Sequence, residues 1–241
     1  MRTRLIMTGA AVMLALAGCA SAPATTTSAD RTQIPPRPGH VARLAAGGQR
    51  AAGLTVLSGA ASVTVSAAAM PGTLVRAWTP ASSGVRPELV LVNGTVQVYL
   101  ASTGQGGPDT VLIQLSSAVR WQLQFSGGAS QTSVQMGNAK LSGLDFTAGS
   151  SVIATALPRP SGTVIITLAG GASQLTIAVP AGVPARLRLI GGASQASLGG
   201  RTYTGLAGGT VLAMPGWSAA ASRYDLDATS GVSEVSVVTE R

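Results

Sequence analysis

The chain has one cysteine, Cys19, and one histidine, His40. Disulfide stapling is therefore excluded, as is a zinc site, which needs several Cys or His ligands. A Ser-His-Asp arrangement is excluded too, because His40 falls in a Pro- and Gly-bearing stretch that reads as tether. Aromatic residues are only 3% of the 241 residues, so the core must be built from Val, Leu, Ile and Ala in thin, regular layers. Charged residues are 10%, against about 25% in ordinary soluble domains, which leaves solubility to Ser, Thr, Gln and Gly. No G-x-x-x-x-G-K-[ST] phosphate loop occurs. The basic residues are scattered and the aromatics few, which argues against a nucleic-acid partner. Mean hydropathy is +0.38. Even so, no apolar run after residue 18 reaches the roughly 18 residues of a membrane-spanning helix.

The N-terminus accounts for the lone cysteine. A basic start (Arg2, Arg4) is followed by an apolar stretch from Leu5 to Leu16 and then by Leu16-Ala17-Gly18-Cys19. That order fits a bacterial lipoprotein signal, and about 12 apolar residues are too few to span a bilayer. The expectation is cleavage between Gly18 and Cys19, with residues 1–18 removed. Cys19 then becomes an acylated N-terminus that holds the protein to the extracytoplasmic face of the cell membrane. Residues 19–50 hold Ala, Ser, Thr, Pro and Gly with no apolar period, as in Pro35-Pro36-Arg37-Pro38. Such a stretch reads as a disordered tether with a reach of roughly 30 Å. Residues 51–241 are then the folded domain.

From Leu54 onward the apolar period is two. Val119, Trp121, Leu123 and Phe125 alternate with Arg120, Gln122 and Gln124. Val164, Ile166 and Leu168, then Leu175, Ile177 and Val179, then Leu187 and Leu189 follow the same rule. Each such segment is a strand with one dry and one wet face, so the domain is all-β. The segment Gly-Gly-Ala-Ser-Gln begins at Gly127, Gly170 and Gly191, with a degenerate copy at Gly149. The unit is therefore about 21 residues: glycine turn, strand, proline turn, strand. A fixed period of this size marks a stacked architecture, here a β-helix whose rung is about 70 Å around. Glycines at one corner are expected to turn the chain with positive φ. Asn93-Gly94, between Leu89–Val92 and Thr95–Leu100, predicts a hairpin, which suits a cap before rungs that begin near Val119. An antiparallel β-sandwich is the alternative.

The stretch from Trp121 to Glu234 resembles the toast-rack, adhesin-like β-solenoid group of bacterial envelope proteins. The resemblance rests on the Gly-Gly-Ala-Ser repeats, the Val179-Pro180-Ala181-Gly182-Val183-Pro184-Ala185-Arg186 turn, and Tyr224-Asp225-Leu226-Asp227 before a last Gly-Val-Ser. It covers about half the chain and carries no catalytic motif. The abundance of Ala, Arg and Gly also resembles actinobacterial proteins. The resemblance implies a single-domain right-handed β-helix in an envelope protein.

Two sets of side chains could carry chemistry. Asp225 and Asp227 flank Leu226 and share a strand face about 7 Å apart, where Asp145 could join them as a glycosidase-like or calcium-binding group. Arg186, Arg188 and Arg201 could line a basic stripe for anionic wall glycan or lipid headgroups; by offset within the unit, Arg188 shares a row with Thr167 and Asp145. Trp78 and Trp121 read as core packing, and Trp217 as a partly exposed loop residue. The reading is a lipid-anchored, non-catalytic β-solenoid for envelope interaction, sensing or adhesion, with no cofactor and no metal. A carbohydrate-active enzyme and a self-assembling module are the alternatives, and the oligomeric state is left open.

Overall fold

The computed structural model describes residues 38–240. The expected signal peptide, Cys19 and most of the expected tether lie outside the described residues. The described chain holds nineteen strands and no helix. The first seven are β1 (Pro38–Ala45), β2 (Ala51–Val56), β3 (Ala60–Ala68), β4 (Thr73–Pro80), β5 (Val85–Val92), β6 (Thr95–Ser102) and β7 (Thr110–Ser116). Then come β8 (Arg120–Phe125), β9 (Ala129–Gln135), β10 (Lys140–Phe146), β11 (Ser150–Ala156), β12 (Thr163–Leu168) and β13 (Ala172–Val179). The last six are β14 (Ala185–Leu189), β15 (Ala193–Leu198), β16 (Arg201–Leu206), β17 (Thr210–Ala213), β18 (Arg223–Ala228) and β19 (Val232–Thr239).

These strands form two mixed sheets, one ordered β1-β4-β7-β3-β9-β11-β13-β19-β15-β16 and the other β17-β14-β18-β12-β10-β8-β2-β6-β5. Successive rungs pair in parallel: β8 with β10 and β10 with β12 in one sheet, β9 with β11 and β11 with β13 in the other. An antiparallel meander cannot give that pattern, so the chain coils. The antiparallel sandwich is set aside.

Inward side chains alternate along each strand as the period predicts. Trp121, Leu123, Leu144, Ile153, Ile177, Leu187 and Val235 are all buried in one continuous core. Each fully buried Leu, Ile or Val contributes about 1.5–3 kcal/mol, and every rung supplies several. The only two phenylalanines, Phe125 and Phe146, stack on adjacent rungs with ring centroids 5.1 Å apart. Trp121 is buried as expected and donates its indole N–H to the Ser116 carbonyl at 2.9 Å. Trp78 is buried too, with the Arg76 guanidinium 5.0 Å from its ring centre.

Several expectations need correction. Residues 38–45, placed in the tether, form β1, which pairs antiparallel with β4. His40 is therefore not a linker residue: it lies half-buried in β1 opposite Thr79. Short alternation in Val41-Ala42-Arg43-Leu44 was too brief to stand out beside the prolines. The rungs also begin earlier than Val119. β2 and β3 stack in parallel on β8 and β9, and β6 and β7 stack in parallel beyond them. The Asn93-Gly94 hairpin is present, with φ of 48° and 78° at its two turn residues. Yet its second strand, β6, is a rung strand in its own right, and only β5 caps.

The rungs are also out of chain order at both ends. From one end to the other they run β6/β7, β2/β3, β8/β9, β10/β11, β12/β13, β18/β19, β14/β15. The last segment, β18 and β19, inserts between rungs that are consecutive in sequence. The chain gets there by two antiparallel additions, β16 on β15 and β17 on β14, which cover the exposed edges.

The corner glycines act differently from expectation. None of the glycines opening the repeats, Gly127, Gly149, Gly170 and Gly191, has positive φ; only Gly192, the second of its pair, does. They are needed because backbones touch there. A Cβ on Gly127 would sit 2.1 Å from the Ser58 carbonyl oxygen, and one on Gly170 would sit 2.1 Å from the Ala148 carbonyl carbon. Gly59, Gly128, Gly149, Gly171 and Gly231 follow one another up this corner in rung order.

Candidate functional site

The outer face of the second sheet carries the charged residues singled out from sequence. On β14, Arg186 and Arg188 point outward while Ala185, Leu187 and Leu189 are buried. On β18, Asp225 and Asp227 are their direct cross-strand partners: Arg186 stands opposite Asp225, and Arg188 opposite Asp227. Arg186 forks onto Asp225 through Nε and Nη2 at 2.8 and 2.5 Å. Arg188 forks onto Asp227 in the same way and also lies 3.9 Å from Asp225. These planar two-point pairs are the strong form of the interaction. Bonding to Asp225 first, and its negative charge next, raises the Arg186 pKa against the opposing effect of desolvation. Asp227 does the same for Arg188.

The two sets of candidates are therefore one structure. The sequence offsets put Arg188 in the right row, Asp145, Thr167, Asp227, Arg188, but missed the inserted strand that neutralises it. A usable signal was present: Arg-Leu-Arg at 186–188 and Asp-Leu-Asp at 225–227 share one spacing with opposite charge. Arg201 does not join them, since it begins β16 at the far edge of the other sheet. The expected stripe of Arg186, Arg188 and Arg201 does not exist. Asp145 lies two strands from Asp227, about 10 Å along the row, and accepts a hydrogen bond from Gln122 Nε2 at 2.8 Å. The carboxylates of Asp225 and Asp227 are both engaged by guanidinium forks, so their oxygens are already committed within the sheet.

Trp217 completes the cluster. Its loop places the ring beneath two guanidiniums, with Arg186 Cζ at 3.8 Å and Arg223 Cζ at 4.3 Å from the ring centre. Its indole N–H donates to the Tyr224 carbonyl at 2.7 Å. The ring is half-buried and its cation-binding capacity is used internally.

Behind this face lies Tyr224, fully buried, whose hydroxyl donates to the Pro158 carbonyl. Burial raises the phenol pKa well above its ordinary value of about 10. A raised acid is neutral in the fold, so its contribution is complete below pH ~10 and declines above it. The Tyr224→Phe variant should lose about 1 kcal/mol at neutral pH with the hydrogen bond. It should also lose part of the native fall in melting temperature between pH 10 and 11. Melts across that range in both proteins check this.

Shallow depressions mark the corners of the stack. One, about 550 Å³, is open to solvent and lined by Gly191, Gly192, Gly205, Gly208 and Gly231 among others. Another of about 330 Å³ lies between the Gly182–Pro184 turn and Met214–Gly216. No group of three or more His, Cys, Asp or Glu residues able to hold a metal occurs among the described residues.

No family model matches this chain, and no curated protein matches it. Among solved structures it is similar to a candidate cell adhesion protein from Clostridium sporogenes, with 12% identity and a TM-score of 0.63. That likeness covers 83% of this chain and 98% of the other, and at such identity it establishes the fold alone. A candidate adhesin from Bacteroides fragilis overlaps over 82% of this chain and 97% of the other, at 7% identity and a TM-score of 0.22, which carries no argument.

Proposed function

We propose that this protein is a non-catalytic binding module of the bacterial envelope, tethered to the outer face of the cytoplasmic membrane by lipid on Cys19. The observation that carries the non-catalytic part is the pairing at β14 and β18. The acids best placed for chemistry, Asp225 and Asp227, are held by Arg186 and Arg188 as parts of the frame. What the fold offers is broad surface instead. One row on the first sheet runs Thr110, Ser62, Gln131, Val152, Gln174, Glu234, Gln195 and Thr204 across eight strands. Such a face suits adhesion, where weak contacts are spread over many rungs. The fold shared with the Clostridium sporogenes cell adhesion candidate supports that reading.

The anchor rests on the sequence at Leu16–Cys19. Expressed in a bacterial host with labelled palmitate, the native chain should carry label and fractionate with membranes. Cys19→Ala should lose both. For the binding role, the Cys19→Ala chain should still sediment with washed envelope fragments. Failure to sediment would overturn adhesion, whatever the outcome at Cys19.

A further inference from the structure

The arginines of β14 show how this fold neutralises a cation, with a carboxylate directly across the sheet. Along one edge it does the opposite. The turns that carry the chain from the first sheet into the second form the long corner opposite the glycine stack. At five consecutive strands that corner bears a cation: Arg50 before β2, Arg120 on β8, Lys140 on β10, Arg159 in the turn before β12, and Arg223 opening β18. The register fixes their alignment. Arg120 stands opposite Lys140 on one side and Ala51 on the other, and its backbone N–H donates to the Arg50 carbonyl at 3.0 Å. Arg223 stands opposite Thr163 and holds its hydroxyl through Nε at 3.0 Å. Arg159 reaches the Ala181 carbonyl in the next turn at 3.1 Å.

Among the described residues none of the five has a carboxylate within 4.0 Å; the salt bridges involve Arg86, Arg186 and Arg188 instead. Glu240 lies past the end of β19 on this side and makes no such pair either. Like charges on neighbouring strands are destabilising. At about 4.8 Å between strands, five positions span about 19 Å, and each neighbour falls well inside the Debye length of about 10 Å at 0.1 M salt. Their fields therefore add. The corner is also stiff, because Pro158, Pro160 and Pro184 fix its turns, so little order is lost on binding.

We infer that this cation ladder is a binding edge for a linear anionic glycan, an extended polymer presenting carboxylate or phosphate oxyanions at intervals. This deepens the envelope-binding reading and rests on it. Single-file charge suits an extended chain better than a bilayer, which would meet a broad patch. Arginine forks match either oxyanion through two hydrogen bonds. Nucleic acid is disfavoured, because Trp121 and Tyr224, next to ladder residues in the chain, are buried and Trp217 is already covered by Arg186 and Arg223.

The test uses the full chain carrying Cys19→Ala, with labelled polygalacturonate, poly(glycerol phosphate) and neutral dextran as probes. The chain should bind one or both polyanions and not dextran, more weakly as salt rises; the two polyanions separate carboxylate from phosphate. Removing two ladder charges in Arg120→Gln/Lys140→Gln should weaken binding about tenfold. Arg43→Gln/Arg201→Gln removes the same charge elsewhere and should cost less than about threefold. Lys140→Gln alone, at an exposed site, should give an intermediate loss and guards against a folding defect in the double variant. Equal losses in both doubles, or undiminished binding in the ladder double, would overturn the ladder. So would capture by phosphatidylglycerol vesicles when neither polymer binds. Envelope sedimentation that is undiminished in the ladder double would reject the ladder and leave the adhesion reading standing. A native chain that sediments with no envelope material would reject both.

Discussion

Gly170→Ala should cost about 4 kcal/mol or more and leave little folded protein. The added Cβ would lie 2.1 Å from the Ala148 carbonyl carbon, 2.3 Å from its oxygen and 2.4 Å from the Gly149 nitrogen. All three are backbone atoms of the next rung, so no side chain can swing aside. The rung would have to move, and its movement would open the ladder between β11 and β13. A useful contrast is Gly162→Ala. Gly162 has φ of +83° but nothing within 4 Å of its would-be Cβ. That variant meets only left-handed strain and should cost about 1–2 kcal/mol. Urea unfolding of the two variants separates close approach from strain. Equal midpoints would mean that the rungs do not press together at the glycine corner.

The second large effect is expected at Asp225. It is 6% exposed and receives two hydrogen bonds from Arg186, so Asp225→Ala strands a partly buried guanidinium beside Trp217. The loss should be about 2–3 kcal/mol, below that of a fully buried pair because Arg186 retains some solvent. Asp227→Ala, whose partner Arg188 is more exposed, should cost about 1 kcal/mol or less. Replacing both partners, Arg186→Met with Asp225→Leu, should recover most of the stability, since an apolar pair needs no compensating charge. Denaturant midpoints of Arg186→Met, Asp225→Leu and the double form the cycle. If Asp225→Ala proves neutral, β18 is held by its inward face alone.

Much of the architecture was legible because parity and period are local. Val119-Arg120-Trp121-Gln122-Leu123 states which face is dry, and a repeated Gly-Gly-Ala-Ser states that each unit meets its neighbour at the same place. Asn93-Gly94 announced its hairpin for the same reason. The arginine stripe failed because offset counting assumes that units adjacent in sequence are adjacent in space. The early rungs were missed because Ser58-Gly59-Ala60-Ala61 is a weak copy of the glycine corner, and β2/β3 and β6/β7 are separated by capping strands. The glycine corner was located correctly but for a different reason: stacked backbones, not positive φ, exclude a side chain there.

By itself, then, the amino-acid order determined strand identity, the aliphatic core face and the repeating unit, because a two-residue alternation and a 21-residue recurrence are written along the chain. The antiparallel alternative fell only to the parallel pairing of successive rungs. Only the tertiary structure decided which rung lies beside which. Insertion of β18/β19 turns two arginines and two aspartates, distant in sequence, into a neutral clamp, and it brings Arg223 beside the corner cations. Neighbour choice between similar strands is settled by edge coverage and charge complementarity summed over the whole stack, and no local stretch of sequence contains that sum.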